Sequence, residues 1–139
     1  MTKINAYINF SGNCREAMTF YKESLEAELT MQTVGESPIA AQCPTGMQDQ
    51  IMHAILSRGQ VLAMGSDMVG PGGFIKGNDM ALLVNCSSDE EINIFFSRLA
   101  EGGQILDPLK VQFWGATFGV LIDKFGTRWM FNYDKNQQQ

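Results

Sequence analysis

The spacing of apolar and polar residues predicts two strand–helix units with the same internal order. In the first unit, residues 5–10 form a short β-type run, and apolar residues at positions 14, 17, 18, 21 and 25 follow with helical period. This pattern predicts a helix over 14–25. Further strands are predicted over 29–34, 51–56 and 61–64, with a long loop over 35–50 between the first two. The unit therefore consists of a strand, a helix and three strands.

The same order recurs after a glycine-rich linker over 67–78. A strand is predicted over 81–86, then a helix that ends at Gly102-Gly103, a strand over 104–106, a loop through Pro108 and a hairpin over 117–133. The predicted fold class is α+β, with two βαβββ modules forming a curved mixed sheet and a helix packed on each half. The half-modules cover about 1–66 and 79–135 of a single domain over 1–139, and residues 135–139 are predicted to be a polar tail.

Both predicted helices begin with a pattern that resembles a capping box. Asn13 precedes Glu16 by three residues, and Ser88 precedes Glu91 by the same spacing. A shift of 75 positions (13 to 88) superimposes these pairs, and a shift of 67 places position 59 on 126 and positions 63–64 on 130–131. Because caps, order and hairpin turns agree, we interpret the two halves as copies of one duplicated unit.

Composition and charge narrow the functional classes. The chain has 139 residues, 45% of them hydrophobic, and a net charge of -5, so it can bury a substantial core. The acidic balance and the scattered Lys and Arg residues exclude a nucleic-acid-binding surface. No apolar run approaches the roughly 18 residues of a membrane span. Cys14, Cys43 and Cys86 lack the paired spacing of a disulfide framework, so we expect a cytoplasmic protein.

Three motifs in order along the chain sharpen this interpretation. They are YINFSGNC at 7–14, CPTGMQ at 43–48 and DKFGTRW at 123–129. Together they resemble the PhnB-like proteins of the glyoxalase/bleomycin resistance/dioxygenase superfamily, also called the vicinal oxygen chelate superfamily. The resemblance implies the paired βαβββ fold and a homodimer, sometimes with halves exchanged between chains.

Some of these relatives carry the name 3-demethylubiquinone-9 3-methyltransferase. Common methyltransferases that use S-adenosylmethionine need a glycine-rich turn between a strand and a helix. The glycine-rich stretch 70–73 instead follows a predicted hairpin and precedes a strand. The sequence therefore does not favour methyl transfer.

The resemblance also implies one divalent metal on the concave face of the sheet, held by His, Glu or Gln side chains from both halves. His53 lies at one of these four positions, whereas the others fall near Asn5, Met80 and Phe131. Zinc and nickel prefer imidazole, carboxylate or thiolate ligands, so we expect no resident metal. The alternative is an enzyme of lyase, isomerase or dioxygenase type that depends on zinc, nickel, manganese or iron. His53 is also a candidate for a metal-free general base or for an ordinary core residue.

Strand alternation predicts a ligand pocket around His53. Residues two apart share a face, so Ile51 and Ile55 are expected beside His53. The same alternation groups the odd-numbered residues of the first strand and of the last strand, and the 113–114 aromatics are expected at the mouth of the pocket. The acidic charge and the aromatic rings favour a small aromatic or cationic ligand. The predicted pocket residues are Asn5, Tyr7, Asn9, Phe113, Trp114, Trp129, Phe131 and Tyr133.

Overall fold

A computed structural model describes residues 2–136, in which eight strands and two α-helices form. The chain divides into two compact units, Met1–Lys76 and Gly77–Gln139, and the boundary lies inside the predicted linker over 67–78. Each unit has the order strand, helix, three strands, so the predicted α+β class of two βαβββ modules is confirmed. Within residues 2–136, no helix is long and apolar enough to cross a membrane. Residues 137–139 of the predicted tail lie outside the described part of the chain.

The first unit contains β1 (Ala6–Asn9), α1 (Cys14–Leu25), β2 (Glu28–Thr33), β3 (Ile51–Arg58) and β4 (Gln60–Ser66). Its sheet has the order β1-β4-β3-β2, with β1 parallel to β4 and the other neighbours antiparallel. Three short 3-10 helices, Val34–Glu36, Ala40–Gln42 and Thr45–Met47, occupy the predicted long loop. The helix has its predicted bounds because its apolar stripe is buried against the sheet.

The second unit contains β5 (Leu82–Asn85), α2 (Asp89–Ala100), β6 (Gln104–Val111), β7 (Thr117–Ile122) and β8 (Arg128–Tyr133). Its sheet has the matching order β5-β8-β7-β6. The loop predicted through Pro108 is wrong, because β6 continues through this residue. Proline cannot donate to a strand ladder, but β6 is an edge strand whose register with β7 shifts between Asp107 and Lys110. The edge position and this bulge accommodate Pro108.

Each sheet packs one face against the helix of its own unit. A Cβ added to Gly65 of β4 would lie 3.2 Å from Met18 Sδ of α1, and one added to Gly119 of β7 would lie 2.9 Å from Phe96 Cε2 of α2. These glycines therefore face the helices. Because successive side chains of a strand alternate, their neighbours in sequence point to the opposite surface, which we call the helix-free face.

The start of α1 is held by a residue from a distant part of the chain. Asn13 makes no side-chain capping hydrogen bond, so the first predicted capping box is wrong. Instead, Oδ1 of Asp67, directly after β4, accepts from the backbone N–H groups of Gly12 and Cys14, both at 3.0 Å. Its Oδ2 accepts from the N–H of Ile51 at 2.9 Å. The buried carboxylate thus ties β4 to α1 and β3.

The cap predicted for α2 is present. Ser88 Oγ accepts from the backbone N–H of Glu91 at 3.0 Å. The Glu91 carboxylate accepts from the N–H of Ser87 at 3.0 Å, one residue before the position that a capping box uses. Local spacing therefore predicted the cap of α2, where both partners lie within one turn.

Equivalent residues in the two sheets occupy equivalent register positions. Met64 of β4 and Met130 of β8 each pair with the second residue of the first strand of their unit, which corresponds to a shift of 66 (64 to 130). The shift of 67 predicted for these strands is therefore wrong by one. It does hold for Gly59 and Gly126, which turn their hairpins with φ values of 79° and 87°. A register shift in the β3–β4 hairpin inserts the extra residue between turn and strand.

Candidate functional site

The helix-free face of the first sheet brings Tyr7 and His53 together. The Tyr7 hydroxyl lies 3.4 Å from His53 Nδ1, and the ring centroids are 5.9 Å apart. Tyr7 is 51% exposed and His53 is partly exposed, so solvent reaches the pair. The Tyr7 hydroxyl donates to Nδ1 or accepts from it, depending on the tautomer of the imidazole. Nε2, the other ring nitrogen, is a donor in one neutral tautomer and an acceptor in the other.

Amide side chains adjoin the Tyr7–His53 pair on the same sheet. Asn9 of β1 continues the alternation of Tyr7, and Gln32 of β2 is the register partner of His53. Both amides are exposed. Asn5 is exposed as well but precedes β1, so strand pairing does not fix its direction. The face therefore offers an aromatic ring, an imidazole and two amides.

Ile51 does not share the face of His53, contrary to the prediction from alternation. The β2–β3 register passes from Gln32 opposite His53 to Thr33 opposite Ile51, which leaves Met52 as an extra residue in β3. This bulge turns Ile51 to the helix side, where its exposure is 0%.

Trp129 and Phe131 pack in the core of the second unit, where the sequence predicted that they line a ligand pocket. Their exposures are 3% and 0%, and Phe131 meets Phe96 of α2 edge-on with a centroid distance of 5.4 Å. The Trp129 indole N–H donates to Asp123 Oδ2 at 2.8 Å. Alternation grouped these rings correctly but could not say which face of β8 meets the helix. Tyr133, two residues further on, is partly exposed.

The two remaining predicted pocket residues lie at the tip of the β6–β7 hairpin. Phe113 is 96% exposed and Trp114 is 50% exposed. Their rings meet edge-on with centroids 4.8 Å apart. The ring centroids of Trp114 and Phe118 are 6.0 Å apart. The tip therefore presents an aromatic surface to solvent within the second unit.

Sequence reasoning missed the residues on the helix-free face of the second sheet. Asn132 pairs with Phe118 on one side and with Asn85 on the other, and Asn132 Nδ2 donates to Asn85 Oδ1 at 3.2 Å. Phe118 of β7 corresponds to His53 of β3. Ile55 pairs with Met64 and Val120 pairs with Met130, and His53 and Phe118 each lie two residues before these partners. Residues of β3 and β7 correspond with a shift of 65 (53 to 118) and those of β4 and β8 with a shift of 66 (64 to 130), so an alignment that used both shifts would have indicated this face.

The residues present do not fit a divalent metal ion. Within residues 2–136, no three His, Cys, Asp or Glu side chains lie close enough to hold one. Of the positions nearest to the ligands that the family pattern implies, Asn5 and Met80 lie outside the strands and Phe131 lies in the core. At the second-sheet equivalent of His53, Phe118 offers no donor atom. Among residues 2–136, the His, Cys, Asp and Glu side chains therefore do not form a three-membered ligand set.

Cys14 is not a candidate nucleophile. Burial and, to a smaller extent, the nearby Asp67 carboxylate together raise the pKa of its thiol to about 12. Since the thiolate is the reactive form, a thiol held neutral in this way is inert near neutral pH.

Comparison with known proteins decides the family. The sequence profile of the Glyoxalase/Bleomycin resistance protein/Dioxygenase superfamily matches residues 3–131. The chain belongs to this superfamily. The chain is also 33% identical over 144 residues to Protein YjdN of Escherichia coli (strain K12). The alignment covers 96% of this chain and 97% of YjdN.

Two solved structures show the same kinship. The glyoxalase-superfamily chain is 39% identical to protein PA1353 from Pseudomonas aeruginosa, with a TM-score of 0.81 and coverage of 96% and 98% of the two chains. It is 30% identical to a PhnB protein from Bacillus cereus, with a TM-score of 0.75 and coverage of 95% and 99%. The name of that protein assigns it provisionally to the 3-demethylubiquinone-9 3-methyltransferases. The predicted resemblance to PhnB-like proteins is therefore confirmed.

Proposed function

We propose that this glyoxalase-superfamily protein binds a small aromatic or cationic molecule on the helix-free face of its first sheet. The observation that supports this most directly is the half-exposed Tyr7 ring, whose hydroxyl meets His53 Nδ1 at 3.4 Å. A tyrosine face attracts flat rings and cations. The net charge of -5 adds a long-range attraction for cations.

The side chains around Tyr7 have distinct roles in this proposal. Tyr7 stacks on the ligand, and its contact with His53 fixes the orientation of both rings. Nε2 of His53 forms a hydrogen bond with the ligand, as donor or acceptor according to its tautomer, while the exposed amides of Asn9 and Gln32 supply adaptable hydrogen bonds. Met64, the register partner of Tyr7, is partly exposed and provides an adaptable apolar floor.

Binding is favoured over metal-dependent catalysis because of the donor atoms present. The polar neighbours of His53 on this face include Tyr7, Asn9 and Gln32, and phenol or amide oxygens are weak partners for zinc or nickel. A lyase, isomerase or dioxygenase of the metal-dependent type would need further imidazole or carboxylate ligands. We therefore assign His53 to ligand binding.

The test is a calorimetric titration with proflavine, a planar aromatic cation. We expect micromolar binding to the wild type and about tenfold weaker binding to Tyr7→Ala, since loss of stacking and cation–π attraction amounts to about 1.4 kcal/mol. His53→Ala should weaken binding severalfold. Phe113→Ala, an exposed aromatic truncation in the other unit, is the matched control and should bind like the wild type.

Two results would reject the proposal. One is equal affinity of the wild type and Tyr7→Ala for proflavine, or no binding by either protein. The other comes from elemental mass spectrometry of protein purified without chelator: near-stoichiometric zinc, nickel, manganese or iron that disappears in His53→Ala would assign the protein to the metal-dependent enzymes.

A further inference from the structure

The bulge in β3 interrupts the pairing with both neighbouring strands. Met52 is the extra residue of β3 against β2. Against β4, Ala54 pairs with Gly65. Two residues further along β4, the Asp67 N–H donates to the Ile51 carbonyl oxygen at 2.8 Å. Three steps along β3 (51 to 54) thus match two steps along β4 (65 to 67), so Met52 is the extra residue on this side as well.

The side chain of Ser66 bonds to the peptide group at this bulge. Its hydroxyl donates to the Met52 carbonyl oxygen at 2.8 Å and accepts from the backbone N–H of Met68 at 2.9 Å. A strand carbonyl normally accepts from the neighbouring ladder, and a bulge interrupts that ladder. The Ser66 hydroxyl, on a residue that is 2% exposed, therefore takes the place of a backbone donor. Because a serine hydroxyl has one proton, the bond to Met52 leaves none for a ligand.

The carbonyl that Ser66 holds belongs to the same peptide group as the backbone nitrogen of His53. Since a peptide group is planar, the direction of the Met52 carbonyl fixes the position from which the imidazole extends. Ser66 also bonds to the chain directly after β1, because its own carbonyl oxygen accepts from the Phe10 N–H at 2.8 Å. One residue of β4 therefore holds the backbone beside both Tyr7 and His53.

The Tyr7–His53 contact is sensitive to small movements of this backbone. At 3.4 Å it lies at the outer limit of a hydrogen bond, and a further separation of about 0.2 Å would break it. We propose that Ser66 is a positioning residue for His53, whose hydroxyl holds the Met52 peptide group so that the imidazole meets Tyr7 on the helix-free face. Ser66 acts through His53 and does not touch the ligand. The consequence for ligand affinity rests on the proposed function.

The first test is an NMR comparison that needs no ligand. His53 is the only histidine of the chain, so its ring signals are identified directly in the proton spectrum. We expect a nuclear Overhauser effect between the rings of His53 and Tyr7 in the wild type. In Ser66→Ala this effect should be lost and the His53 ring signals should shift. Ser66→Thr, which keeps the hydroxyl, should restore most of both.

Ser37→Ala is the matched control for loss of a buried hydroxyl. Ser37 Oγ donates to the Val34 carbonyl oxygen at 2.7 Å, and this bond lies within the loop between β2 and β3. Like Ser66→Ala, the variant removes a hydroxyl that serves a backbone carbonyl of the first unit. It should leave the His53 ring signals and the effect between the two rings unchanged.

The second test is a double-mutant cycle with proflavine, measured by calorimetry. Ser66→Ala should bind about threefold more weakly than the wild type, because the imidazole is displaced rather than removed. The double variant Ser66→Ala/His53→Ala should bind like His53→Ala, since a group that acts through His53 has no effect once the imidazole is gone. Ser37→Ala should bind like the wild type.

Three results would each overturn the proposal. They are unaltered His53 signals in folded Ser66→Ala, equal changes in Ser37→Ala, and additive losses of affinity in the double variant. If the wild type binds no proflavine, the proposed function fails, whereas the NMR comparison still decides the role of Ser66. Circular dichroism confirms folding of each variant. If Ser66→Ala does not fold, Ser66→Cys, which has a similar shape and only a weak donor, replaces it in both tests.

Discussion

Replacing Asp67 with asparagine tests how three separate segments of the first unit are held together. The Asp67 carboxylate accepts the backbone N–H groups of Gly12 and Cys14 on one oxygen and that of Ile51 on the other. An asparagine of the same shape has only one oxygen. If it keeps the two bonds near α1, its NH2 group faces the Ile51 N–H, and two donors then oppose each other.

The size of the effect follows from the geometry. Hydrogen bonds to a charged group contribute about 1.5–3 kcal/mol each, and a buried donor left without a partner costs about 1–3 kcal/mol. Removing the charge also relieves the desolvation cost of a carboxylate that is only 6% exposed. Because all three N–H groups lie within 3.0 Å, we expect the lost bonds to outweigh this relief. The predicted net loss is about 3 kcal/mol of unfolding free energy.

The assay is urea denaturation followed by far-UV circular dichroism. Tryptophan fluorescence is unsuitable, because Trp114 and Trp129 both lie in the second unit whereas Asp67 lies in the first. Amide hydrogen exchange adds a local measurement. The Ile51 N–H should exchange faster in Asp67→Asn by a larger factor than amides in the second unit.

Asp107→Asn provides the matched control. Its carboxylate lies 3.8 Å from Lys110 Nζ with both side chains largely exposed, and such pairs contribute at most about 1 kcal/mol. A loss below about 1 kcal/mol in Asp67→Asn, similar to that of the control, would refute the reasoning. It would mean that the carboxylate's desolvation cost cancels its three hydrogen bonds.

Three further predictions concern backbone approach and thiol chemistry. Gly103→Ala should lose about 3 kcal/mol in urea denaturation, since its Cβ would meet the carbonyl oxygen of Ile122, and a wild-type midpoint would contradict this. Cys43, which is partly exposed, should react with Ellman's reagent at pH 7.5 much faster than the fully buried Cys14; equal rates would count against the assigned burial. Burial and the Asp67 carboxylate raise the Cys14 pKa from 9.0 to about 12, so its contribution to stability is present below pH 9 and lost as pH rises towards 12. Cys14→Ala should therefore show a flatter decline of stability over pH 9–12 than the wild type, and parallel curves would oppose this.

The order of strands and helices was predictable because it depends on local apolar periodicity. The bounds of α1 agree with the predicted 14–25, and the Ser88 cap was identified from a spacing of three residues. Asp67 was not identified, since its partners lie up to 55 residues away and it follows β4 in a stretch that looked like a linker. Long-range capping leaves no local signal in the sequence.

The candidate site was predictable only in part. Tyr7 and His53 were both selected, and the structure places them side by side. The faces of the other strands were harder to assign, because one extra residue reverses the alternation. The bulge at Met52 turned Ile51 to the helix side, and the direction of Trp129 and Phe131 depends on which face of β8 receives α2. Bulges and helix docking are tertiary features that periodicity does not encode.

Pro108 has a consequence for how the protein meets other chains. An edge strand normally exposes a ladder of N–H and C=O groups that recruits further strands and leads to aggregation. Pro108 leaves β6 one backbone N–H short, and two register shifts against β7, around Asp107, interrupt the spacing of the remaining groups. A strand from another molecule therefore cannot pair continuously along β6, so this edge resists amyloid-like growth. β6 still forms the last strand of its sheet and leads into the aromatic tip of the β6–β7 hairpin.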